Sequence, residues 1–180
     1  MAHSNTQRLI GYWRDRRGAA AAPSRASIDP GDFVEMLAQV FILGRRGQGQ
    51  YHFRLVGGLV SELHRRDLRG EDFLTLWDRF DRLPLQTAME SARRRPEPVV
   101  ISCDAHAPVG TSIGMEMVLA PLTGINGEID RYLGLYQPVS AVARLRGLPI
   151  RQLTLRSLDL DVDAPATHLR LAAIDGRRIA

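Results

Sequence analysis

The sequence predicts an α+β fold: a five-stranded antiparallel sheet with helices on one face, an N-terminal helical cap and a C-terminal extension strand. Three observations carry this. Tyr51, Phe53 and Leu55 alternate strictly with His52 and Arg54, the pattern of a half-buried strand. Gly57-Gly58 then breaks the strand, and Leu59, Val60 and Leu63 follow at the spacing of a short helix folded back on it. Further on, three apolar or alternating runs over 99–103, 111–119 and 131–137 read as consecutive strands.

Taken in order, residues 4–17 form an amphipathic helix, with Ser4 and Gln7 at capping-box spacing and Leu9, Ile10 and Trp13 on one face. The small-residue stretch 18–27 is a linker. Asp29-Pro30-Gly31-Asp32 starts a short helix, since an acid caps it and proline is preset for its first position. Gln39 to Leu43 is β-rich, Arg45 to Gly49 is a polar turn, and the strand Tyr51 to Val56 returns from it. Glu71-Asp72 opens a second short helix ahead of Phe73-Leu74. The longest helix comes after Trp77. Leu85, Ala88, Met89 and Ala92 share its face, Pro84 sits in its first turn, and Arg93 to Pro96 ends it. Val99–Cys103 and Thr111–Leu119 follow, and Asn126-Gly127 turns the chain into Arg131–Gln137. A late strand runs from Leu153 to Val162, with its parity slipping at Arg156-Ser157 as at a β-bulge. Asp159, Asp161 and Asp163 form its solvated face, and a poorly ordered tail is expected beyond Pro165.

Strand, glycine turn, short helix and second short helix over Tyr51 to Trp77, set within the order ββαααβββ, resemble the middle of a PAS domain. More narrowly, the chain is similar to a bacterial family of small stand-alone PAS-like proteins whose ligands are mostly unknown. The resemblance covers residues 8–138, with Asp29-Pro30 where that family's first helix begins. It implies a cap and linker over 1–27, a PAS-like domain over 28–138, and an extension and tail over 139–180. It also implies a sensory or regulatory module, not an enzyme, that binds a small molecule or a signalling protein and acts through protein contacts. Related folds pair their caps across a two-fold axis, so a homodimer is expected, with Leu9, Ile10 and Trp13 at its interface.

Composition narrows the remaining classes. A 180-residue chain that is 44% hydrophobic and 24% charged is long enough for one good core. No apolar run is long enough to span a bilayer, MAHSNTQR lacks the order of a signal peptide, and a single cysteine permits no internal disulfide, so a cytoplasmic protein is expected. All 24 basic residues are arginine, which leaves no lysine for a Schiff base or a P-loop. Net charge is only +4 and the arginines are interspersed with acids, so no nucleic-acid partner is expected.

No metal site is expected either, because Cys103 and His106 lack further convergent ligands. Haem-binding PAS domains commonly carry a histidine on the long helix, and flavin photosensors carry a cysteine after the glycine break; neither residue is present there, and no cofactor is expected. What remains is an apolar cup built from Phe53, Leu55, Leu63, Phe73, Leu74, Leu85, Met89, Met115 and Met117, the candidate ligand-contacting set. The rival reading is a cup-shaped enzyme of the ketosteroid-isomerase-like kind, with Glu116 or Asp104 as its base.

Overall fold

The computed structural model describes residues 2–160. Helix α1 spans Ser4–Arg17, and its N-cap is His3, whose Nδ1 accepts the Asn5 N–H at 3.1 Å. The cap therefore falls one residue before the expected Ser4. After a linker, a 3₁₀ helix runs over Pro30–Gln39, and Asp29 caps it by accepting the Gly31 N–H at 2.8 Å. Strands β1 (Val40–Gly47) and β2 (Gln50–Val56) form the opening hairpin, and helix α2 (Gly58–His64) leaves it after Gly57. A 3₁₀ turn over Phe73–Leu76, capped by Asp72, precedes helix α3 (Arg82–Arg94), which at 13 residues is one shorter than α1 at 14. Strands β3 (Val99–His106), β4 (Ser112–Thr123), β5 (Ile129–Pro138) and β6 (Gln152–Asp159) complete the described chain. The expected Asp161 and Asp163 of the late strand, and the tail, lie outside the described residues.

The strands form one antiparallel sheet in the order β2-β1-β5-β4-β3-β6. The sheet has six strands, not five, because the extension strand pairs along β3. Its parity slip is real: Ser102 faces Ser157 while Cys103 faces Leu155, so Arg156 is the extra residue of a bulge.

β4 explains why both faces of the sheet are covered. Met115, Met117 and Leu119 point to the layer of α2 and α3, while Val118, Ala120 and Leu122 point to the other side. On that second face α1 lays down Leu9, Ile10 and Trp13, all buried within the chain, and Phe33 and Met36 of the 3₁₀ helix join them. Helices therefore cover both faces. Trp13 Nε1 donates to the Pro121 carbonyl at 2.6 Å. Pro121 is tolerated mid-strand because β3 pairs with β4 only as far as Leu119, so no neighbour on that side needs its missing N–H.

The helix start is pinned by Glu116, buried beneath it. Its Oε1 accepts the His3 N–H at 2.9 Å and the Thr6 hydroxyl, and Asn5 Nδ2 donates to Gln137 at 2.8 Å alongside. A carboxylate under the first turn suits the helix dipole. Glu116→Ala leaves two donors unpaired and is expected to cost about 1–3 kcal/mol. Denaturant melts would show that loss, with α1 becoming the first site of limited proteolysis.

Both sheet edges are tied to one segment. Phe53 of β2 donates its N–H to Glu71 at 3.0 Å and accepts from Gly70 at 2.8 Å, while Leu153 of β6 accepts from Asp78 at 2.9 Å.

Candidate functional site

Between the sheet and the layer of α2 and α3 lies one buried cluster. It contains Phe53, Leu63, Phe73, Leu74, Leu85, Met89, Met115 and Met117, eight of the nine expected cup residues. Leu55 is the exception, at 42% exposed. Leu43 pairs with Phe53 but Ile42 with Leu55, so Arg54 is an extra residue that reverses the parity of the strand after Phe53. Arg54 itself lies over Gly44, where a Cβ would meet its Nε at 2.8 Å. Leu55 therefore lines an open surface groove of about 700 Å³ together with Arg54, Arg66 and Arg69.

The cup is more aromatic than expected. Phe41, Phe53 and Phe73 are in mutual ring contact at 5.5–6.1 Å, and Trp77 joins Phe73 at 5.7 Å. Gly134 makes room for this cluster, since a Cβ there would lie 2.2 Å from the Phe41 ring.

Polar groups sit at the ends of the cup. At one end Tyr51 Oη donates to Glu90 Oε1 at 2.5 Å, and Tyr132 Oη donates to the Met89 carbonyl at 2.6 Å. Burial, and then Glu90, push the Tyr51 hydroxyl up to about 12. Burial also acts to raise the Glu90 carboxyl, but hydrogen bonds from Tyr51 and Arg93 outweigh it and hold the group below its ordinary value. At the other end His64 Nε2 and the Tyr136 hydroxyl lie 2.9 Å apart, both residues buried. Trp77 is 1% exposed, and its Nε1 has no hydrogen-bond partner among the described residues. The periodicity marks Tyr132 and Tyr136 as same-face strand residues, but nothing local marks His64 or Trp77 as polar members of the cup.

Burial, with the Arg66 charge second, lowers the His64 pKa from 6.5 to about 4. The unfolded chain therefore takes up a proton between those values that the folded chain refuses. Stability is full above pH 6.5 and falls as pH drops toward 4, by on the order of 3 kcal/mol in all. His64→Gln keeps an acceptor for Tyr136 without titrating. Denaturant melts at neutral pH and at pH 5 are expected to separate more for the wild type than for this variant.

The other candidate groups are placed elsewhere. Cys103 faces the cup whereas His106 faces away, bonded through Nε2 to Thr154 at 2.7 Å. Asp104 accepts from Arg156 at 2.6 Å, and Glu116 lies on the opposite face beneath α1. No helix among the described residues is long and apolar enough to cross a membrane.

Among solved structures, the chain is similar to a light-oxygen-voltage domain studied with a flavin analogue, at 13% identity, a TM-score of 0.49, and 62% and 84% coverage of the two chains. It is similar also to the dark-state LOV domain of the blue-light photoreceptor Aureochrome1, at 13% identity, 0.48, and 65% and 87% coverage. A third is an RNA-binding light-oxygen-voltage receptor, at 15% identity, 0.47, and 69% and 38% coverage. No curated protein matches. A family model described as a PAS domain matches residues 1–137, a span that includes all of α1 and runs to the last residue of β5 before Pro138, and the chain belongs to the PAS domain family.

Proposed function

We propose that this PAS domain is a sensory and regulatory module that takes a small, largely apolar ligand bearing a hydrogen-bond acceptor into its cup. The resulting change in packing passes to a protein partner. The observation that supports this is the Trp77 indole, buried with an unpaired N–H. An unsatisfied buried donor costs about 1–3 kcal/mol, and a ligand carbonyl, carboxylate or ring nitrogen removes that cost. Met89, Met115 and Met117 line the same cluster, and unbranched thioethers repack readily around a guest.

Catalysis is not part of the proposal. The two acids best placed to act as a base are engaged outside the cup, Glu116 with α1 and Asp104 with Arg156. A homodimer is part of it. Leu9, Ile10 and Trp13 are turned onto their own sheet, so the interface between copies uses other residues.

The test is native mass spectrometry of the full chain purified from its host, beside a Trp77→Phe variant. The expected result is an added mass on the wild type that is reduced or lost in the variant. A wild type that carries no added mass, and that no acceptor-bearing apolar compound stabilises against heat, overturns the reading.

A further inference from the structure

We infer that residues 139–151 form a hinged strap that closes the His64–Tyr136 end of the cup and opens to admit its occupant. This rests on the ligand-binding reading above and adds the route of entry. The chain leaves β5 at Pro138 and enters β6 at Gln152, and the backbone between is hydrogen-bonded to the rest of the fold only at its ends. At the start Val139 donates to the Gly114 carbonyl at 3.0 Å; at the finish Ile150 donates to Leu63 at 2.8 Å and Arg151 to His106 at 2.8 Å. The backbone bonds donated in between, by Arg144, Arg146 and Leu148, go to carbonyls within the strap itself.

Two side chains plug the cup from this strap: Leu145 at 2% and Ile150 at 1% exposed, each isolated among exposed or half-buried neighbours. Between them Arg146 and Gly147 adopt consecutive positive φ values of 50° and 72°, a sharp bend between the anchors. The other walls are strand ladders, the helices α2 and α3, and the Gly70–Asp78 segment, which is bonded to both edge strands, and the α3 end is held by the Tyr51–Glu90–Arg93 bonds. A segment with two apolar anchors and few external backbone bonds belongs to the low-stability end of a fold.

Directly beneath are the buried polar groups. Ile150 bonds the residue next to His64, and Tyr136 is close enough to Cys103 for the thiol to add to the rise in its pKa, behind burial.

Cys103 makes the inference testable. It is the chain's single cysteine and is 1% exposed, so its labelling by a small neutral thiol reagent reports opening of this end. The experiment follows the labelling rate of the full chain in alkaline buffer from zero to sub-denaturing guanidinium. Local opening is expected to give a rate nearly independent of denaturant at the low end. Leu145→Ala is expected to raise it about tenfold or more, while Trp13→Phe, a conservative change on the opposite face of the sheet, leaves it unchanged. The strap is ruled out as a door if wild-type labelling follows the global unfolding line down to zero denaturant. An equal rise in both variants has the same meaning. The wild-type profile decides the matter even where Leu145→Ala does not fold. No ligand is needed, so the result stands apart from the mass measurement that tests occupancy.

Discussion

Trp13→Ala is expected to lower the unfolding free energy by about 3–5 kcal/mol, the largest loss of any single side-chain truncation on the α1 face. The side chain is fully buried among Leu9, Ile10 and the outer residues of β4 and β5, and its N–H is bonded to Pro121. Alanine leaves a cavity that α1 cannot fill by sliding, because Glu116 and Gln137 hold its start. Trp13→Phe retains most of the volume and loses the hydrogen bond, so its cost is nearer 1 kcal/mol plus a smaller packing term. Guanidinium melts of the two variants resolve these contributions; a loss under about 1 kcal/mol for Trp13→Ala contradicts the packed helix. Sedimentation of the same samples tests assembly. The wild type is expected to dimerise, and Trp13→Ala to dimerise equally where it remains folded. A monomeric wild type ends the dimer proposal.

Gly57→Ala is expected to be nearly as damaging although it adds one methyl group. A Cβ at Gly57 would lie 2.4 Å from the Ala38 carbonyl oxygen and 2.6 Å from that of Leu37. These are backbone atoms at the end of the 3₁₀ helix, and Gly57 is itself fastened by donating to the Val40 carbonyl at 2.8 Å. No flexible side chain can yield, so either the 3₁₀ helix or the start of α2 must move. The expected cost is about 3 kcal/mol or more, at the upper end of overpacking effects. Gly58→Ala serves as the control, since a Cβ there meets nothing within 4 Å. Equal melting points for the two variants contradict the close approach.

The contrast between these neighbouring glycines shows what the sequence can and cannot express. The glycine pair marks the break between β2 and α2, but only the folded chain shows which member has a carbonyl against it. Strand periodicity locates the cup because inward residues of one strand share a face whatever the tertiary context. It fails at Leu55, where one inserted residue reverses every later side chain and two bulky hydrophobes hide the slip. The Arg156 bulge is legible because the apolar pattern resumes after it with changed parity. The pairing of Leu9, Ile10 and Trp13 with their own sheet depends on β4 being apolar on both faces, whereas the outward residues of β2, His52 and Arg54, suggest a polar surface. His64 is matched by Tyr136, 72 residues away, and Trp77 is distinguished by an unmet hydrogen bond, neither of which leaves a local signature.

The segment from Gly70 to Asp78 bonds to both outermost strands, and this has a mechanical consequence. A twisted six-stranded sheet left to itself could flatten or curl further at little cost. Here its two margins are joined by a short length of chain, as a bowstring joins the tips of a bow. The depth of the cup is thereby set by the length of the string, and flattening the sheet means breaking the backbone bonds at Phe53 or Leu153. Phe73 and Trp77 lie on that string and inside the cup. A guest pressing on either ring therefore pulls on the two margins together, and displacement at the centre of the domain becomes a change in curvature at its periphery.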